Sequence, residues 1–345
     1  MKVFPYIKAV SQISIQEPLT DVWMESPHWY DANFVRSIDP DFKPFVPAAQ
    51  GRRMGKLLKR ALTTSLSVIR ESGIACPDAI MMGTGLGCIE STERFLESLC
   101  RDGEQLLKPT HFMQSTHNTV ASLIGIQTGN TGYNITYSHK GISVDCALHD
   151  ALVQFKLGMI GSALVGGNDE VSPSYFTLLK KIGFVGQDSE VCGEASVAMM
   201  LSNEQENALC QVKGVKVLYR PDVCRLQSAL SQMLSEADTS LGGIDAVMTG
   251  ISGNRLNDKY YYDLLPELLP GVPVLHYKHI FGESYSASGL GVYATVRCLQ
   301  HGFIPQSLVL EQPTCSVPAP NRILLLNIAD GKDYSFILLE KICGK

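Results

Sequence analysis

Residues 132–170, GYNITYSHKGISVDCALHDALVQFKLGMIGSALVGGNDE, constrain this chain more than any other stretch. They read as a strand, a tight turn, a helix with apolar residues at helical spacing, and a second strand running into paired glycines, a βαβ unit. Between the first strand and the helix sits Ser138-His139-Lys140-Gly141. A helix N-terminus presents unpaired backbone N–H groups and favours negative charge, so this elbow is where an α/β protein would carry a reactive side chain.

The rest of the chain is compatible with a large α/β fold. Its 345 residues suffice for two core-forming halves. A net charge of -5 with scattered basic residues excludes a nucleic-acid field. The N-terminal stretch MKVFPYIKAVSQISIQEP lacks a small-residue cleavage site and reads as a first strand, and no segment is long and apolar enough to span a bilayer. The ten cysteines are spread singly from Cys76 to Cys343, with no C-x-x-C pair and no zinc-ligand spacing. Free, mostly buried thiols in a cytoplasmic protein without a metal are the expectation.

In chain order, residues 18–47 read as an irregular excursion with a short helix, in which Trp23, Trp29 and Tyr30 are candidate partner anchors. Residues 52–72 place Met54, Leu57, Leu58, Ala61, Leu62, Leu66 and Ile69 on one helical face that Gly73 terminates. A strand over 79–84 runs into MGTGLG, whose spacing fits neither phosphate-loop nor dinucleotide patterns and so reads as a tight turn. Ser91 or Thr92 is expected to cap the next helix, and residues 112–128 read as one further helix. A helix over 172–183 and a strand over 195–202 complete the first half.

From about Leu209 the pattern repeats, and GGIDAVMTGISG has the same strand-into-glycine character as DAIMMGTGLG. Two copies of one βα pattern predict an internal duplication, with halves at 1–205 and 206–345 forming one compact unit. Strands alternating with helices predict mostly parallel or mixed sheets covered on both faces.

The βαβ unit ending VGGNDE, the strand GEASVAMML and the segment GESYSASGLGVYATVRCLQHGFIPQSL together resemble the β-ketoacyl synthase branch of the thiolase-like superfamily. The resemblance spans nearly the whole chain and implies a five-layer αβαβα fold, no cofactor and a dimer. It also implies a nucleophilic cysteine at the elbow and two histidines in the second half; here those positions fall on Gly141, Gly250 and Glu283. Lys278 matches the family's structural lysine, while the C-terminal glycine-rich loop is represented by the degenerate ADGKDY.

A scaffold kept without its nucleophile and histidines resembles the chain-length-factor-like short homologues of aryl polyene and flexirubin-type pathways, whose elbow also looks like TYSH followed by a basic residue and glycine. The resemblance implies a non-catalytic subunit that pairs with an active β-ketoacyl synthase and serves acyl carrier protein-bound elongation of the fatty-acid or polyketide type. A homodimer in isolation is also open. The dimer would form across residues 112–136, with Phe112, Met113, His117 and Asn118 closing the partner's acyl tunnel. Two alternatives remain: a divergent 3-oxoacyl synthase, acyltransferase or decarboxylase using Ser138 or Glu283, and a stand-alone acyl-binding module.

The relic pocket is expected to gather Ser138, His139, Lys140, Lys278 and Glu283. Ser138 and His139 are adjacent on an extended chain and so point to opposite faces, which disfavours a nucleophile and base pair. Ser143 reads as an N-cap, Asp145 as a favourable charge at the helix start, and Cys146 as a small core residue. Lys140 reads as a solvated turn residue, and Glu283 as a partner of Lys278 or Lys140.

Overall fold

The computed structural model describes residues 3–104, 107, 109–183, 191–310 and 319–342. The first half runs β1 (Tyr6–Ile13), α1 (Ala48–Gly51), α2 (Lys56–Ser72), β2 (Ala79–Gly83), α3 (Ile89–Asp102), α4 (Pro109–Ser115), α5 (Thr119–Thr128) and β3 (Tyr133–Tyr137). It continues with α6 (Ser143–Lys156), β4 (Ser162–Asp169), α7 (Pro173–Lys181) and β5 (Ala195–Ser202). The second half contains β6 (Cys210–Tyr219), α8 (Val223–Glu236), β7 (Ala246–Thr249), α9 (Arg255–Leu268) and β8 (Val274–His276). After α10 (Lys278–Phe281) and α11 (Ala287–His301), the hairpin β9 (Arg322–Ala329) and β10 (Asp333–Lys341) closes the fold.

The strands hydrogen-bond in the order β3-β2-β4-β5-β1-β6-β10-β9-β7-β8. Read inward from either end, the order is the same, because adding five to each number of β3-β2-β4-β5-β1 yields β8-β7-β9-β10-β6. Pairing sense repeats too: β2 is parallel to β3 and β4, β7 is parallel to β8 and β9, and the inner pairs β4/β5 and β9/β10 are antiparallel. The sheets are therefore mixed, and the halves meet where Tyr6 and Ile7 of β1 pair with Gln211 and Cys210 of β6.

Five layers follow from where each helix finds apolar partners. Helices α2 and α5 bury Leu57, Ala61, Leu62, Val120 and Ile124 on the outer face of the first half-sheet. Helices α6 and α11 lie between the halves, α6 touching β2, β4 and β6, and α11 touching β1, β5, β9 and β10. Helices α8 and α9 cover the other outer face with Leu226, Leu230, Met233, Leu264 and Leu265. A helix buried on all sides must be apolar or small around its circumference, as α11 is from Ala287 through Val296.

Three local expectations are corrected. The stretch 112–128 is two helices, because Ser115 Oγ donates to Phe112 O (2.7 Å) and Thr119 Oγ1 to Met113 O (2.9 Å), so side-chain hydroxyls take carbonyls at the turn. Helix α3 starts at Ile89 with Cys88 in the cap position, ahead of Ser91 and Thr92. Trp23 is a core residue against Phe281 and Tyr293, with ring centroids 5.0 and 6.2 Å away, rather than a surface anchor. Gly73 does end α2 in the left-handed conformation. Among the described cysteines, all free, Cys88, Cys192, Cys210 and Cys298 are buried and Cys76, Cys100 and Cys224 are exposed; Cys315 and Cys343 lie outside the described residues.

Candidate functional site

The elbow is built from the end of β3 and the start of α6. Lys140 takes a positive φ of 50°, and residues 140–142 form a single 3-10 turn before the helix. Ser143 does not cap α6. Its hydroxyl accepts from His139 N (2.7 Å) and lies 2.9 Å from Thr84 O, tying the elbow to the end of β2. The side chains of Ser138, His139 and Lys140 are exposed. His139 Nε2 lies 3.8 Å from Asp333, and Lys140 Nζ lies 3.9 Å from Asp330.

Gly141, Gly250, Lys278 and Glu283 instead converge on one narrow cavity with Tyr261 and Asn327. Its volume is about 30 Å³, the space of one water molecule. At its centre Lys278 Nζ donates to Glu283 Oε2 at 2.6 Å, and both side chains are buried. Burial works against the Lys278 ammonium, but Glu283 and the neighbouring Tyr277 and Tyr261 more than offset it and leave the pKa raised. Burial pushes the Glu283 carboxyl up against the pull of Lys278. Lys140 takes no part in this pair.

The two glycine positions are closed by neighbours. A Cβ at Gly250 would stand 2.6 Å from the Tyr261 hydroxyl and 3.1 Å from Lys278 Cε. Tyr261 is held in place, since its hydroxyl accepts from Ile328 N at 2.8 Å. A Cβ at Gly141 would meet the Ala329 methyl at 3.2 Å, and the Gly141 carbonyl accepts from Asn327 Nδ2 at 2.9 Å. Gly250→Ala should therefore cost about 1–3 kcal/mol by overpacking, read as a lowered urea midpoint at unchanged slope.

The site offers hydroxyls, those of Ser284 and Ser288 among them, but no thiol or imidazole, since neither cysteine nor histidine lines the cavity. Cys146, one turn into α6, has its thiol pushed up to about 12 by burial and the charges of Asp145 and Asp333, so thiolate is scarce at neutral pH. The arrangement is that of an ion pair packed by an aromatic hydroxyl, which fills space and satisfies charge.

Two acids carry structure that periodicity did not reveal. Asp145 is fully buried, and accepts hydrogen bonds from Ser335 Oγ and from Asn327 Nδ2 (3.1 Å); burial raises its pKa. It thus anchors α6 to β9 and β10 rather than merely answering the helix dipole. Asp169, in VGGNDE, accepts from Thr84 Oγ1 (2.9 Å), Gly85 N (3.0 Å), Leu86 N (2.7 Å) and Ser286 Oγ. Gly87 N in turn donates to Thr84 Oγ1 at 2.7 Å. The N–H groups that a phosphate would need in MGTGLG are thus already used, and the reading of that stretch as a turn holds. A signal existed in the sequence: an acid ending an apolar strand must find donors, and a glycine turn supplies them.

Phe112, Met113, His117 and Asn118 occupy an exposed face formed by α4, its turn and α5. Met113 and Asn118 line an open groove of about 700 Å³ with Met54, Leu58, Leu123 and Ile126. Phe112 packs on Phe95 with ring centroids 5.5 Å apart. The groove lies between α2, α4 and α5; α5 also packs on β2 and on β3, a sheet edge with no strand on its outer side among the described residues.

The chain is similar in fold to the ishigamide ketosynthase/chain length factor, at 16% identity and a TM-score of 0.81, covering 99% of this chain and 100% of that one. It is similar to a ketosynthase in complex with its chain length factor from Xenorhabdus doucetiae, at 16% identity and a TM-score of 0.75, covering 99% and 98%. A β-ketoacyl synthase from Burkholderia phymatum STM815 matches at 13% identity and a TM-score of 0.76, covering 99% and 100%. At these identities the likeness is one of fold, and the fold is the thiolase-like one. The family model for the β-ketoacyl synthase N-terminal domain matches residues 22–248, well over half of the sequence, and this chain belongs to the β-ketoacyl synthase family.

Proposed function

We propose that this chain is a catalytically degenerate, chain-length-factor-like subunit that pairs with an active β-ketoacyl synthase in fatty-acid or polyketide-type elongation on acyl carrier protein. The observation that carries the reading is the cavity at Gly141, Gly250 and Glu283. It has room for about one water and is lined by a buried ion pair with neither cysteine nor histidine, so an acyl thioester has no thiolate and little space there. These three positions are those of the lost cysteine and histidines, and residues 1–205 and 206–345 are the two ketosynthase-like halves.

The open edge supports a partner. The far end of the sheet, β8, is covered by the chain's own Val309 and Leu310, through a bridge to Leu275 and a bond from Leu310 N to Val274 O (3.0 Å). The equivalent strand β3 carries no such cover among the described residues, and α5, which packs on it, carries exposed Ile126 and shares the groove with exposed Met113. An uncovered edge beside apolar side chains is a ready template for another chain. Phe112, Met113, His117 and Asn118 then form part of the floor of the partner's acyl tunnel. Two of the similar structures pair, or join by name, a ketosynthase with a chain length factor, and another is a type II ketosynthase with its acyl-carrier protein. No helix among the described residues is long and apolar enough to cross a membrane.

The test is incubation with malonyl- and acyl-loaded carrier protein, with and without a co-expressed ketosynthase that retains its cysteine and histidines. Condensed products are expected only with the partner, and no acyl adduct is expected on this chain. A stoichiometric adduct on this chain alone, at Ser138 for example, would show it to be an acyltransferase. A stable homodimer that binds acyl chains and ignores every ketosynthase would make it a binding module.

A further inference from the structure

Residues 26–30, the end of β8 and α10 meet in a stack of three rings that lies outside the candidate site. The imidazoles of His276 and His279 are 3.6 Å apart between centroids and within 14° of parallel. The Trp29 indole, 62% exposed, lies over His279 at 5.8 Å and 30°. Behind the stack, Gln16 Nε2 donates to both His28 O (2.9 Å) and Ile280 O (2.6 Å), so one buried side chain joins the Trp29 segment to α10.

The protonation state of the stack follows from its partners. His279 Nε2 lies 2.7 Å from the Ser307 carbonyl and so carries the proton, while His279 Nδ1 is buried with no partner. A proton added to Nδ1 would be a buried donor without an acceptor. A second proton on His276 would set two cations face to face. Burial and the neighbouring His279 push His276 down to about 3, and burial lowers His279. The charged groups of the surrounding elements do not relieve this. Lys278 is engaged by Glu283, Glu17 lies 3.8 Å from His28, and Ile251 and Ser307 face the rings with backbone carbonyls. No carboxylate forms an ion pair with either ring among the described residues.

We propose that the Trp29–His279–His276 stack is an acid-sensitive latch, which holds residues 26–30 and α10 against β8 at neutral pH and releases them as pH falls. In the closed form both imidazoles are neutral. In the open form they titrate near the ordinary histidine value, so the open form binds more protons. The closed form is fully favoured above that value and loses ground as pH drops through it. From about pH 7 to pH 5 the opening equilibrium should rise by roughly 25-fold through His276 alone, and His279 adds to it in the same direction. Because α10 begins at Lys278, release would also loosen the ion pair of the candidate site. The latch does not depend on what that site does.

Native-state hydrogen exchange on the full chain tests this without any substitution. After correction for intrinsic rates, amides of residues 278–281 should exchange at least 25-fold faster at pH 5 than at pH 7, while those of α11 should not. Trp29 emission, isolated by difference against Trp29→Phe, should change over the same interval. That change should flatten in His276→Gln/His279→Gln. Uniform acceleration across the chain, no acceleration in 278–281, or an unaltered Trp29 transition in the double variant would overturn the proposal.

Discussion

Lys278→Met should lower the stability of this protein by roughly 3–5 kcal/mol, because it leaves the Glu283 carboxylate buried without its counter-ion. The loss should appear as a reduced urea midpoint. Protonation of Glu283 is the available relief, so the deficit should be larger at pH 8 than at pH 5. The double variant Lys278→Met/Glu283→Leu should recover most of the loss, since an apolar pair of similar volume removes both desolvation penalties. A single variant that costs under about 1 kcal/mol would mean that water reaches the pair. The contrast between single and double variants separates a pair that holds the fold from one retained for chemistry. A chemical role would show as lost activity in the double variant despite restored stability.

Met113→Asp/Ile126→Asp should weaken association with the ketosynthase partner by roughly 100-fold or more, since buried interface anchors commonly carry about 2 kcal/mol each. Both side chains are exposed in the single chain, at 63% and 75%, so the variant should fold with an unchanged midpoint. Co-purification and sedimentation read the loss directly. Retained association would move the interface away from the groove between α2, α4 and α5. The second possibility, a homodimer in isolation, would be weakened by the same pair of substitutions, so mixed and unmixed samples must both be measured.

The fold was largely legible because its signals are local and occur twice. DAIMMGTGLG and GGIDAVMTGISG are each a strand running into glycine, and the matching strand orders of the halves are the tertiary expression of that repetition. Periodicity also located α2 and α6. It missed the break at residues 116–118, where Ser and Thr hydroxyls compete with the helix for carbonyls, an effect hydrophobic spacing does not register.

The site was legible in part for a related reason. That Gly141, Gly250, Lys278 and Glu283 belong together came from resemblance, since residues so far apart in sequence show no local sign of contact. Ser138, His139 and Lys140 were grouped with them by adjacency, yet a turn entering a helix sends neighbouring side chains in different directions, and these three point to solvent. Tyr261 went unnoticed because a tyrosine on an amphipathic helix looks like ordinary packing. Its role depends on the absence of a side chain at Gly250, eleven positions earlier. Asp145 was misjudged in scale: its partners Asn327 and Ser335 lie at the opposite end of the chain.

The difference between the two ends of the sheet also limits how many copies can assemble. A chain with two uncovered edges could add neighbours at both and grow into a fibre, as repeating head-to-tail contacts do. Among the described residues Val309 and Leu310 occupy one end and β3 leaves the other available, so strand addition at β3 would be used up by a single association. Growth by this route would stop at two chains, whichever second chain is bound.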